Sequence, residues 1–131
     1  MSPLALRRTG LALTVLVGLF LAMDAGGKLF APEMMIANSP PLGLPTDPAF
    51  HRMLGAILAV SLALYLIPRT AVLGAILLTG YLGGAVAAHA RVGSPLGSHT
   101  LFGVYLGIIV WAALLCRLPA LRALIPLNHG D

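Results

Sequence analysis

The stretch PRTAVLGAILLTGYLGGAVAAHAR, from Pro68 to Arg91, limits the fold of this chain more than any other feature. Between Arg69 and His89 it carries nineteen residues without a charge. As a helix they would cover about 28 Å, close to the thickness of a bilayer's hydrocarbon core. The segment therefore reads as a transmembrane helix. Small residues at Gly80, Gly84, Ala87 and Ala88 wind round one of its faces. In lipid, helices associate through close van der Waals approach rather than hydrophobicity, so Gly80 and Gly84 are expected to form a packing seam against a neighbouring helix. The rival reading, a buried helix of a soluble domain, needs charged surface helices around it. Charged residues make up 9% of this chain, against about 25% in soluble domains.

The other composition data agree. Hydrophobic residues reach 59% of 131 and run along almost the whole length, leaving no polar half for a separate soluble domain. Eight Lys and Arg against four acids give a pI near 10.0, but no basic run exceeds Arg7 and Arg8, which excludes nucleic-acid binding. The single cysteine, Cys116, excludes an intrachain disulfide and a CxxC redox pair, and reads as a small apolar filler near a helix end.

Taken in order, Arg7 and Arg8 precede an apolar run from Thr9 to Lys28 that fits a first span. A cleaved signal peptide is the alternative, but Met23, Asp24 and Ala25 make a poor processing site. Residues 31–50 hold five of the ten prolines and show no sustained period, so a long loop is expected there, with Met34, Met35 and Ile36 as an apolar patch at the interface. A second span over 51–67 stops at Pro68, and only three residues separate it from the third, which makes the two an antiparallel hairpin. After a turn-rich loop comes a fourth span, with Gly103 and Gly107 as a second small-residue seam, and then a tail expected to lie along the interface. The fold class expected is all-α: a four-helix transmembrane bundle with both termini on the same side and spans near 9–28, 51–67, 70–90 and 100–116. Five Lys and Arg fall on the terminal side and three on the other, which favours cytoplasmic termini.

This topology brings four polar stretches to the non-terminal end: Asp24 and Lys28, His51 and Arg52, His89 and Arg91, and His99 and Thr100. Ionisable groups within a membrane span are costly and point to a functional site with named partners. Helix-end anchors that snorkel to the headgroups are the plainer reading for Lys28 and Arg52. Asp24 and Lys28 stand at i, i+4 with the acid first, the favourable order for an ion pair. Asp24, Lys28, His89 and Arg91 are expected to meet as one hydrogen-bonded network, net positive with His89 neutral and suited to an anionic or carbonyl-bearing group. His51, His99 and Tyr81 are further candidates. The histidines come from three separate segments without metal-ligand spacing, so no metal site is expected. With no GxSxG, no phosphate-cradling loop and no carboxylate pair at catalytic spacing, the residues specify no reaction.

Three stretches, DAGGKLF from Asp24, YLIPRTAVLGAILLTGYLGGAVAAHARVG from Tyr65 and WAALLCRLPALRALIPL from Trp111, resemble the DoxX-like family of small bacterial membrane proteins. The resemblance spans all four helices. It carries the family's D-x-x-x-K at the end of the first span onto Asp24 and Lys28, and its terminal His and Arg of the third span onto His89 and Arg91. Many members place a glutamate in a GxxEL context in the second span, whereas Leu58 stands at that position here. The resemblance implies a bacterial cytoplasmic (inner) membrane location and is compatible with two main roles and a weaker third. The first is a redox-associated protein binding a quinone or other small lipophilic ligand at the polar, non-cytoplasmic end. The second is an accessory or assembly factor that holds a membrane protein partner, and the third a small transporter acting as an oligomer.

Overall fold

The computed structural model describes residues 1–38 and 41–125. Five α-helices follow in order: α1 (Pro3–Phe30), α2 (Pro32–Asn38), α3 (Pro48–Leu66), α4 (Ala71–Arg91) and α5 (Phe102–Arg117). Among the described residues, four helical segments are long and apolar enough to cross a membrane, and they contain α1, α3, α4 and α5. The helix starts are written in the sequence. Ser2 caps α1 by accepting a hydrogen bond from the Ala5 amide at 3.1 Å, with Pro3 as the first helical residue. Asp47 caps α3 in the same way through the Ala49 amide at 3.0 Å, ahead of Pro48. These caps start α1 six residues earlier than hydropathy suggests, placing the exposed Arg7 and Arg8 on the helix itself.

The stretch expected to be wholly loop also differs. Pro32 and Glu33 form the first turn of α2, both favourable at a helix N-terminus, and Met35 of this helix packs on Gly27 of α1. Pro68–Thr70 forms a 3₁₀ turn between α3 and α4, with the Thr70 hydroxyl donating to the Leu64 carbonyl at 2.7 Å. Gly93, at φ +70°, lets the chain leave α4 through the left-handed region. A π-helical turn, Leu96–Thr100, then leads into α5. A 3₁₀ turn follows α5, and Arg122 donates to the Leu115 and Cys116 carbonyls at its end. The rest of the expected interfacial tail, from residue 126, lies outside the described residues.

The four long helices form a ring in which α1 neighbours α3 and α5, and α4 neighbours the same two. One glycine sets each of the four interfaces. A Cβ on Gly55 would lie 2.9 Å from Lys28 Cβ (α3 on α1), and one on Gly10 would lie 2.7 Å from Arg117 Cγ (α1 on α5). On Gly103 it would lie 2.9 Å from the Leu82 carbonyl oxygen (α5 on α4), and on Gly74 only 2.1 Å from the Tyr65 amide nitrogen (α4 on α3). Lipid-embedded helices gain most from this kind of backbone approach. The start of α1 thus lies beside the end of α5.

Side chains fill the terminal half of the bundle. Leu58, Leu78, Val110 and Leu114 are fully buried, so the position at which the resemblance implies a glutamate is apolar core here. Tyr65, also fully buried, crosses from α3 to donate to the Val110 carbonyl on α5 at 2.8 Å. Buried Thr14 donates to the Gly10 carbonyl and accepts from Arg117 at 3.0 Å, while Trp111 donates to Thr79 at 2.8 Å. The buried hydroxyls of Thr14, Ser61 and Tyr65 each have a partner inside the bundle, as a segment without water around it requires.

The seam expected at Gly80 and Gly84 is not used within the chain: no atom lies within 4 Å of a Cβ built on either. The buried positions of α4 are 71, 74, 75, 78 and 82, and at 100° per residue Gly80 and Gly84 sit about 160° and 120° away from Leu78. Of the other expected pair, Gly103 makes a close contact, whereas Gly107 has only the Leu82 side chain, 4.0 Å from a built Cβ.

A candidate ligand cavity at the polar end

The helices separate in the half away from the termini. There they enclose a cavity of about 940 Å³, walled by α1, α3, α4 and α5 and covered by α2 and residues 41–46. Its volume lies at the upper end of the range for drug-sized ligand pockets. The walls are mainly apolar, with Leu21, Leu54, Ile57 and Leu106 among the residues facing it. Between α1 and α5 the wall is closed by Phe20 and Phe102, whose rings meet edge to face with centroids 5.3 Å apart.

On the flank between α3 and α4 the lining consists of small and exposed residues. On α4, Gly74 marks the side that touches α3, while Leu82 and Val86 mark the side that touches α5. Gly84 and Gly80 continue round the helix beyond Gly74 on the α3 side; both line the cavity, and both are exposed. Ile57 of α3 lines it too and is 47% exposed. The cavity therefore reaches the outer, lipid-facing flank of the bundle between these two helices.

Two charged side chains face the cavity among the described residues, Asp24 and Lys28. Helical side chains lean towards the N-terminus of their helix, which here means into the bundle. Lys28 accordingly reaches back to Asp24, with Nζ 2.5 Å from Oδ1 and 5.8 Å from the centre of the Tyr81 ring. Its side chain is 16% exposed and that of Asp24 25%. This lysine does not snorkel outward as a helix-end anchor would; carboxylate and aromatic face draw the ammonium the other way.

The remaining sequence candidates occupy the outer end. His89 and His99 face the cavity with ring centroids 5.9 Å apart, their Nδ1 atoms 3.1 Å and 2.7 Å from the hydroxyls of Ser94 and Ser98. His51 also lines it, with Nε2 3.2 Å from the Pro45 carbonyl. A carbonyl can only accept, so Nε2 holds the proton there, and Nδ1 is buried without a hydrogen-bond partner among the described residues. Arg91 stands apart. Its guanidinium donates to the Leu42 carbonyl at 2.5 Å, beside Gly43, whose φ of +68° turns the chain there. The expected four-residue network is therefore divided among the described residues: Asp24 with Lys28, His89 with Ser94 and His99, and Arg91 with the covering loop.

Against known sequences, the model of the DoxX-like family matches residues 12–113. The chain belongs to the DoxX-like family. No curated protein and no solved structure matches it. The matched region begins in α1 and ends in α5, so it takes in every residue that lines the cavity of this DoxX-like membrane protein. Sequence reasoning found every titratable group on the cavity wall but missed its shape, which Phe20, Ile57 and Phe102 set. It expected residues 31–50 to lie over the site but missed the helix within them, for which the helix-start pair Pro32 and Glu33 was the available signal.

Proposed function

We propose that this DoxX-like protein binds a small lipophilic molecule, with a quinone as the leading candidate, drawn from the bilayer through the flank between α3 and α4. The observation that carries the reading is the cavity of about 940 Å³ with mainly apolar walls and a polar end, whose lining residues Gly80, Gly84 and Ile57 are exposed on the flank between α3 and α4. A water-borne ligand would find the polar end covered by α2 and residues 41–46. We place the protein in a bacterial cytoplasmic membrane with its termini inside, so that Asp24, Lys28, His89 and His99 lie towards the outer face. Tyr81, His51 and Arg91 complete the site, the last by holding the cover. Organic extraction of the purified protein tests the reading: a stoichiometric quinone or other lipophile supports it, and an empty protein that takes up none on addition opposes it. Phosphatase fusions test the orientation, with activity expected after Ser94 and none after Asp131.

A second reading has its own support. A groove of about 370 Å³ runs along the outer face of α4 and α5, lined by Gly83, Gly103, Gly107 and Trp111. A partner helix could approach closely there, as an assembly factor requires. Recovery of a stoichiometric membrane protein with the chain, and no small molecule, would favour it.

A further inference from the structure

We infer that the molecule held in the cavity is uncharged, and that a carbonyl or hydroxyl oxygen of its head accepts a hydrogen bond from Lys28 while Asp24 keeps anions out. This rests on the reading of the cavity as a lipophile site and goes further by fixing the charge and polar chemistry of the occupant. A surplus of positive charge would follow if Arg91 joined Lys28 at the site. The geometry removes it: Arg91 is tied to the Leu42 carbonyl and is not on the cavity wall, and Arg52 is exposed elsewhere on α3. Among the described residues the charged lining is one ammonium and one carboxylate, 2.5 Å apart. With the imidazoles of His51, His89 and His99 neutral, the cavity sums to zero.

A zero sum discriminates by charge because the walls around the pair are apolar. A carboxylate or phosphate head brought against Lys28 would set two anions on one cation where little water can screen them, after losing its own hydration. A cationic head meets the same obstacle at Asp24. An uncharged oxygen loses little hydration and gains a charge-assisted hydrogen bond. Lys28 can supply it, since an ammonium has three donors and Asp24 takes one. The apolar remainder of the molecule then lies towards Leu21, Ile57 and Leu106.

Three probes with the same tail separate these statements: methyl tetradecanoate, tetradecanoate and tetradecane. They are added to the full chain in nanodiscs at about pH 9, where free carboxylates are ionised and ordinary imidazoles are neutral, and binding is read from the rise in Tm at matched mole fractions of lipid. The ester is expected to bind at least about tenfold more tightly than the carboxylate and more tightly than the alkane, the scale of one hydrogen bond to a charged group. Asp24→Asn should raise carboxylate binding to that of the ester, and Lys28→Met should erase the preference of ester over alkane. Carboxylate binding as tight as the ester in the unaltered protein would overturn the inference and leave the lipophile site standing. Equal binding of ester and alkane would overturn the contact with Lys28. Failure of all three probes would remove the lipophile site itself, and the inference with it.

Discussion

The two halves of α4 use glycine in opposite ways. Near the turn from α3, Gly74 brings two backbones so close that no side chain fits between them, and the neighbouring core is filled by Tyr65, Leu78 and Val110. Two to three turns later, Gly80 and Gly84 touch nothing and line an open cavity. The residue type is the same, and so is the apolar helix around it. The difference lies in the face: Gly74 shares the stripe of buried positions, whereas Gly80 and Gly84 lie beyond its edge on the side where α3 draws away. A small residue in a membrane helix thus marks either a contact or a space, and only the helix's rotation within the bundle decides which.

The largest effect expected from breaking this comparison is at Gly74. Gly74→Ala would place a Cβ 2.1 Å from the Tyr65 amide nitrogen. The two backbones would have to part, and overpacking of this kind costs about 3 kcal/mol or more. Thermal unfolding in detergent should show a large drop in Tm, whereas Gly80→Ala, with nothing within 4 Å, should equal or exceed the unaltered protein, because alanine favours a helix by about 1 kcal/mol over glycine. Asp24→Ala comes next. It strands the inward-turned Lys28, and breaking a buried pair costs about 3 kcal/mol at full burial, less here because both side chains keep some exposure. The loss should be visible in the same assay and largely restored in the double variant Asp24→Ala, Lys28→Met.

How much of this was legible in the sequence follows the same division. The spans were, because a run such as 70–88 has no other solvent to live in, and so was the Asp24–Lys28 pair, whose spacing alone makes the contact. That polar groups from four stretches gather at one end also followed from counting spans. The direction of Arg91 did not, since its acceptor is a backbone carbonyl 49 residues away in a loop without periodicity. Nor did the contacts of Gly10, Gly55 and Gly74: hydropathy moments are weak when both faces of a helix are apolar, so the buried stripe cannot be told from the lipid-facing one.

Smaller effects sharpen the contrast from each side. Tyr65→Phe removes the hydrogen bond to the Val110 carbonyl in the packed half and should cost about 1 kcal/mol, measured as a modest fall in Tm. Arg91→Ala releases one tie on residues 41–46 in the open half. It should leave the stability within about 0.5 kcal/mol of the original while speeding amide exchange in residues 41–46.

The claim on which the account turns is that the open half is a binding space reached from the lipid, and Gly84→Leu tests it most directly. Nothing outside the helix backbone stands within 4 Å of a Cβ built there, so the substitution should keep or raise Tm while its branched end fills the mouth between α3 and α4. Native mass spectrometry and extraction of both proteins, purified in parallel, should find a lipophile on the unaltered chain and none on Gly84→Leu. Equal loading of the two, at unchanged Tm, would contradict the account.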